Sequence, residues 1–279
     1  MRRHDPLSSS LVSTLAVLKI PEKMVPILLV PERYEFNGIP VLCPKYPMIP
    51  RLSERWHSIL LYLGMKRPAL ALQKEFNYDV INAHWLYPDG VAASWVSRLA
   101  KRPLVLSAHG CDVNMALGEP GKKYQIMAAV EKSSLVTVVS GKMRERLVSE
   151  GCPENKVANI PNGFDKTLFY PRDRTECRKT LSLPLEEKNI LFVGQLIPLK
   201  GLHFLIEALS RLGNMPQPPM LNVVGYGDEP TYRQLAEDLK VGDRVRFIGG
   251  RPYSEIPTWM GSCDVLCLPS IREGMPNVV

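Results

Sequence analysis

The chain has 279 residues, 45% of them apolar and 23% charged, an ordinary globular composition with room for two domains that excludes a disordered chain. No run approaches the roughly 20 apolar residues of a membrane span, and the opening Met1-Arg2-Arg3-His4 with Leu11 to Ile20 only faintly resembles a secretion signal, its apolar part broken by Ser13, Thr14 and Lys19 and followed by no small-residue cleavage pattern. A net charge of +7 suits an anionic partner, while the lack of a zinc finger, an aromatic RNP pattern or a basic block argues against nucleic acid.

Residues 1 to about 50 are crowded with proline, and only Val25 to Val30 and Ile39 to Cys43 read as short strands. Residues 51–66 fit a helix, with Leu52, Trp56, Ile59, Leu60 and Leu63 at helical spacing and Arg51, Arg55, Lys66 and Arg67 at its flanks. Such a helix either packs its apolar face on its own sheet, the favoured reading, or rests on an anionic membrane.

From Tyr78 the pattern becomes strand–helix alternation. Strands are predicted at Tyr78 to Ala83, Leu104 to Ala108, Leu135 to Val139 and Val157 to Ile160, with helices at Asp89 to Leu99, Lys122 to Lys132 and Lys142 to Glu150, the last capped by Ser140. Residues 165–188 are charged and carry one short helix, so they read as a linker with a domain boundary near residue 170. The alternation then restarts, with strands at Asn189 to Val193, Met220 to Val224, Val245 to Ile248 and Val265 to Leu268. Helices fall at Gly201 to Leu212, Thr231 to Leu239 and Ser254 to Cys263, and Asn277 to Val279 would open another. The fold class is therefore α/β, two doubly wound Rossmann-like domains (1–170 and 171–279), each with a parallel sheet covered on both faces.

In such sheets ligands gather at the C-terminal ends of the strands. His84, His109, Ser140 and Asn162 stand there in the first domain, and His109, followed by Gly110 and with Asp112 placed to orient its imidazole, is the stronger histidine. In the second domain Gly194-Gln195 leads to Lys200-Gly201 at a helix start, where backbone N–H groups and an ammonium would attract phosphate. Gly225-Tyr-Gly227 begins like a dinucleotide fingerprint but has Pro230 in place of the third glycine, so it supports close backbone approach alone. Glu273-Gly274-Met275-Pro276-Asn277 repeats the strand-to-helix pattern, with a carboxylate suited to sugar hydroxyls and amides facing anionic oxygens. There is no P-loop, no Gly-x-Ser-x-Gly elbow and no Asp-x-Asp pair. Six scattered cysteines without a Cys-x-x-Cys pair read as free thiols, not as metal ligands.

Taken in order, Asp79-Val-Ile-Asn-Ala-His84, Ser107-Ala-His-Gly-Cys-Asp112, Ile160-Pro-Asn-Gly-Phe-Asp165, Phe192 to Gly201, Val224 to Asp228 and Pro269 to Pro276 resemble the family 4 glycosyltransferases. That resemblance implies the GT-B fold, two Rossmann-like domains facing a cleft. It implies a retaining, metal-independent transfer of a sugar from a UDP-, GDP- or ADP-sugar to a glycan or lipid-linked acceptor, with no further cofactor. Lys200 would neutralise the departing diphosphate, Glu273 would be the first glutamate of the family's Glu-x7-Glu motif, His109 would lie beside the reacting centre, and Gly274 to Asn277 would contact the donor. The segments at His84 to Gly90 and His109 to Asp112 look most like cell-envelope and exopolysaccharide members such as those of teichuronic acid assembly. The implied location is cytoplasmic, with peripheral contact at an anionic membrane as the reading that gives the helix near Trp56 a purpose.

Three departures accompany the resemblance. Gln195 stands where the family usually has Arg, the family's opening Gly-rich strand is not legible, and the second glutamate of the motif would fall beyond Val279. The second domain is therefore expected to be truncated, and an inactive nucleotide-sugar-binding remnant, or less favourably a nucleotide-sugar epimerase, stands as the alternative.

Overall fold

A computed structural model describes residues 31–47 and 53–278, with only the backbone described at Cys111. The strand expected at Val25 to Val30, the start of the helix at residues 51 and 52, and Val279 lie outside the described residues. By packing, the chain divides into two units: Met1–Leu106 with Tyr124–Ser134, and Ser107–Lys123 with Leu135–Val279.

The first unit opens with an antiparallel hairpin of β1 (Arg33–Phe36) and β2 (Ile39–Leu42). Its two-residue turn, Asn37 at φ 51° and Gly38 at φ 79°, has the left-handed pair of a type I′ turn. Only β2 is anticipated by the sequence, because Arg-Tyr-Glu-Phe is exposed throughout and lacks an apolar run. Helix α1 (His57–Phe76) begins later than expected and runs ten residues further, through Pro68, to a left-handed cap at Asn77. Its expected inward face is also corrected: Trp56, Ile59 and Leu63 are exposed. The buried residue is instead Ser58, whose hydroxyl donates to Gln125 at 2.6 Å. An edge-on contact of Tyr62 with Trp95, ring centroids 5.4 Å apart, also lies against the favoured expectation that the Trp56 face would pack.

Strand β3 (Ile81–His84) leads through a tight turn into α2 (Val91–Ala100), which buries Val91, Ala92, Ala93 and Val96. At that turn Trp85 takes φ 76°, and the Gly90 N–H donates to its carbonyl at 2.9 Å. Strand β4 (Leu104–Ala108), the short α3 (Cys111–Asn114) and α4 (Pro120–Lys132) follow.

In the second unit come β5 (Leu135–Val138), α5 (Gly141–Ser149) and β6 (Val157–Asn159). Ser140 occupies the N-cap of α5 in extended conformation but makes no side-chain capping bond, contrary to expectation. The strand order of this first sheet is β3-β4-β5-β6, with β5 and β6 parallel.

The expected linker is a packed element. Helix α6 (Arg174–Thr180) is capped by Asp173, which accepts from the Glu176 N–H at 2.9 Å. Its Arg178, only 3% exposed, donates to the carbonyls of Ser262 and Leu185 and pairs with Asp264 at 2.9 Å. Asp264 in turn accepts from the Asn189 N–H at 2.8 Å, so one buried network ties α6 to the neighbouring strand ends.

Those strands are β7 (Asn189–Val193), β8 (Met220–Val224), β9 (Val245–Gly249) and β10 (Val265–Leu266), connected by α7 (Leu202–Arg211), α8 (Glu229–Asp238) and α9 (Ile256–Ser262). The pairs β10–β7, β7–β8 and β8–β9 are all parallel, in the order β10-β7-β8-β9. Phe192, Leu202, Ile206, Leu209, Leu221 and Val223 form one core cluster, and Leu191, Val224 and Trp259 form another. Alternate residues of β7 and β8 thus enter different clusters, which is why these strands read as near-continuous apolar runs, broken only by Asn189 and Asn222, whose buried side chains hydrogen-bond each other at 2.7 Å. Both sheets fit the α/β class predicted from the alternation.

Candidate functional site

The carboxyl ends of β7, β8 and β10 are drawn together by backbone contacts that only glycine permits. The Gly194 N–H donates to Val224 at 3.0 Å and the Gly225 N–H to Gly249 at 3.0 Å. A Cβ on Gly225 would overlap the Gly194 carbonyl, and one on Gly227, at φ 146°, would come within 2.6 Å of the Leu196 carbonyl. Gly201, at φ 72°, lies so close to Pro269 that a Cβ would overlap its carbonyl. The Ile271 N–H then donates to Leu199 at 2.9 Å, placing the β10 exit beside the turn that carries Lys200.

Lys200 ends a one-turn 3-10 helix, Pro198–Lys200, immediately ahead of α7. Its Nζ reaches Glu273 Oε1 at 2.6 Å, with the two side chains 25% and 23% exposed. That partial shielding makes the pair stronger than a fully solvated one while leaving both groups reachable by a ligand. The pair lines a cavity of about 610 Å³ together with Gly194, Gln195, Gly225, Met275, Pro276 and Asn277, all within the second unit. Gln195 donates from Nε2 to the Tyr226 hydroxyl at 3.4 Å.

Gly227 and Gly274 are outside that lining; their lack of a side chain serves backbone approach. A Cβ on Gly274 would overlap the His109 carbonyl. His109 lines a second cavity of about 550 Å³ with Asn162 and Phe164, which shares Asn277 with the first. The Asn162 side chain donates to Asn277 Oδ1 at 2.7 Å. The Asp112 carboxylate accepts from backbone N–H groups of His109, Gly110 and Val113, so its visible work is to shape the turn that carries the histidine. His84 belongs to the first unit, where its Nε2 lies 3.3 Å from Asn82 Nδ2. Among the described residues no group of three His, Cys, Asp or Glu side chains could hold a metal ion.

Tyr226 and Arg251 are cavity residues that the sequence did not single out, whereas Asn162, expected at a strand end, lines the second cavity. Tyr226 and Arg251 also follow strand ends, so the rule that placed Lys200 could have found them. Only the fold shows which strand-end side chains turn inward.

Comparison with known proteins bears on this arrangement. The model described as Glycosyl transferases group 1 matches residues 173–279, and that for Glycosyltransferase Family 4 matches residues 28–168, half of the chain. The chain belongs to glycosyltransferase family 4. A relative, the teichuronic acid biosynthesis glycosyltransferase TuaC of Bacillus subtilis, is 31% identical over 252 residues, covering 89% of this chain and 61% of that protein. The chain thus spans about three fifths of the length of this curated relative. Among solved structures, Anabaena HepE in complex with UDP superposes with a TM-score of 0.61 at 26% identity, over 75% of this chain and 58% of that one. Sucrose-phosphate synthase from Thermosynechococcus elongatus shares the fold, with a TM-score of 0.71 at 20% identity over 90% of this chain and 65% of that one. The fold is accordingly that of the GT-B glycosyltransferases, of which this chain covers part.

Proposed function

We propose that the protein transfers a sugar from a nucleoside diphosphate sugar to a glycan or lipid-linked acceptor, with retention at the anomeric carbon and without a metal ion. The observation that carries this reading is the Lys200–Glu273 pair in the wall of the 610 Å³ cavity, beside the glycine-built backbone of Gly194 and Gly225. A cation and a carboxylate side by side suit the two ends of such a donor, the ammonium facing the diphosphate and the carboxylate accepting hydrogen bonds from sugar hydroxyls. As the nucleoside diphosphate leaves, Lys200 neutralises its growing charge, which stabilises the transition state more than the ground state. Backbone N–H groups of Gly274, Met275 and Asn277 add hydrogen bonds without reorganisation. His109 stands on the acceptor side, where its imidazole can hydrogen-bond the attacking hydroxyl.

In this reading residues 1–170 serve the acceptor and 171–279 the donor. UDP is the favoured nucleotide, since HepE, a similar structure above 25% identity, is described in complex with UDP and with UDP-glucose. The likeness to TuaC favours an envelope glycan as the product. The exposed stripe Trp56, Ile59 and Leu63, flanked by Arg55 and Arg67, supports a peripheral contact with an anionic membrane from the cytoplasmic side. Among the described residues no helix is long and apolar enough to cross one.

The test is sugar transfer by the complete protein and its Lys200→Ala and Glu273→Ala variants, with UDP-, GDP- and ADP-sugars screened first by thermal shift. Each substitution is expected to lower transfer by about 100-fold or more, as for loss of other charge-stabilising groups, with the fold retained. Wild-type turnover in either variant overturns the assignment. A donor at 100 times its Kd adds about 2.7 kcal/mol to stability, enough to rank the nucleotides.

A further inference from the structure

The segment from His109 to Asn114 does more than deliver a histidine. Asp112 is 3% exposed, and a carboxylate, which can only accept hydrogen bonds, is costly to bury unless donors surround it. Here the donors are main-chain: the N–H of Gly110 at 2.8 Å, of His109 at 3.1 Å and of Val113 at 3.2 Å. The Gly110 carbonyl accepts from the Asn114 N–H at 2.8 Å, closing a tight turn in which Gly110 holds φ 132°, a conformation that glycine takes readily and other residues do not.

That turn abuts the loop carrying Glu273. A Cβ built on Gly110 would lie 2.9 Å from the Gly274 Cα and 3.0 Å from its nitrogen, so the two backbones already meet at van der Waals distance. On one side of this contact the Asn114 side chain donates to the Glu273 carbonyl at 3.5 Å; further along, Asn162 donates to Asn277 at 2.7 Å. The far side of the loop is held by Lys200 through the Glu273 carboxylate.

We propose that Asp112 is a positioning residue for sugar transfer, setting the His109–Gly110 turn against Gly274 and thereby holding the Glu273 loop in register with His109. This rests on the proposed donor site and deepens it: the donor carboxylate is placed by contacts from residues about 160 positions earlier in the chain, and the spacing between the acceptor-side imidazole and the donor loop is fixed by two opposed glycines. An Asp→Asn exchange keeps an oxygen acceptor for the amides, whereas Asp→Ala leaves three N–H groups without that partner.

The test uses the complete protein with a UDP-sugar donor and measures kcat and donor KM for Asp112→Ala, Asp112→Asn and Gly110→Ala, together with the thermal midpoint and UDP binding. The expected result is a kcat at least 10-fold lower in Asp112→Ala and Gly110→Ala, a donor KM changed less than threefold, and recovery to within threefold of wild-type kcat in Asp112→Asn. Gly110→Ala retains the carboxylate and its hydrogen bonds, so it reports on the contact even if Asp112→Ala does not fold. If both variants fold and turn over within twofold of wild type, or lose thermal stability without loss of kcat per folded molecule, the positioning role is overturned while UDP binding leaves the donor site standing. If wild-type protein binds no nucleotide, the donor site itself falls, and this inference with it.

Discussion

The two packing units handle their strand ends differently. In the second, the exits of β7, β8 and β10 touch backbone to backbone through Gly225, Gly227 and Gly201, and side chains enter the cavity from a frame already fixed. In the first, the turn after β3 is built around Trp85 at φ 76°, β1 is exposed along its length, and α1 leaves Trp56, Ile59 and Leu63 uncovered. A frame made of main chain places charges with little slack, which suits the proposed donor site, in which Lys200 and Glu273 would meet one ligand together. A surface with exposed apolar side chains suits larger and softer partners.

The comparison can be broken most sharply at glycine. Gly225→Ala forces a Cβ into the Gly194 carbonyl and is expected to cost about 3 kcal/mol or more, or to prevent folding. Gly38→Ala in the β1–β2 turn meets no atom within 4 Å and pays only for its φ of 79°, about 1 kcal/mol. Urea denaturation of both variants measures the difference, and equal losses would show that the frame is not tighter than the hairpin.

Next in size is the contrast between two arginines. Arg178→Ala removes a buried guanidinium that binds Asp264 and two carbonyls, with an expected loss of about 3 kcal/mol. Arg33 pairs with Glu75 at 2.6 Å in the open, so Arg33→Ala should leave the thermal midpoint unmoved.

The same network predicts a pH effect. Burial pushes the Asp264 carboxyl up, but the Asn189 N–H together with Arg178 and Arg174 outweighs it and holds the carboxyl below its ordinary 3.8. A carboxyl depressed on folding contributes stability above its unfolded value and loses it as pH falls through the lower folded value. Stability should therefore drop below about pH 4, and Asp264→Asn should flatten that acid limb in denaturation curves taken from pH 6 to 3. The smallest effect on stability belongs to Trp56→Ala with Leu63→Ser: no change in melting, but weaker sedimentation with phosphatidylglycerol vesicles. Unchanged sedimentation would remove the membrane reading.

Much of this architecture is written plainly in the chain. β7 and β8 are found to the residue, because strands buried on both faces read as near-continuous apolar runs, here broken only by Asn189 and Asn222. β1 is not found, since its residues are all exposed, although Asn37-Gly38 between two short runs is a recognisable hairpin signal. Pro68 misleads in the other direction: it marks a helix end in sequence, yet α1 continues through it to Asn77. In the site, Lys200 and Glu273 are legible because each sits after an apolar strand and before a helix start. The meeting of Asn162 with Asn277, 115 residues apart, and of Gly110 with Gly274 has no local signature and needs the folded chain.

Gly201 carries one more consequence. With the Pro269 carbonyl where a Cβ would stand, this position is closed to every other amino acid unless the end of β10 moves, and Glu273 would move with it. Under the proposed function, variation in donor preference among descendants of this chain has to come from residues with freedom at their tips. Gln195, Tyr226 and Arg251 line the cavity from partly or fully exposed positions and meet that condition. Randomising those three positions while leaving the glycines intact is the library in which altered sugar or nucleotide choice should appear without loss of the folded protein.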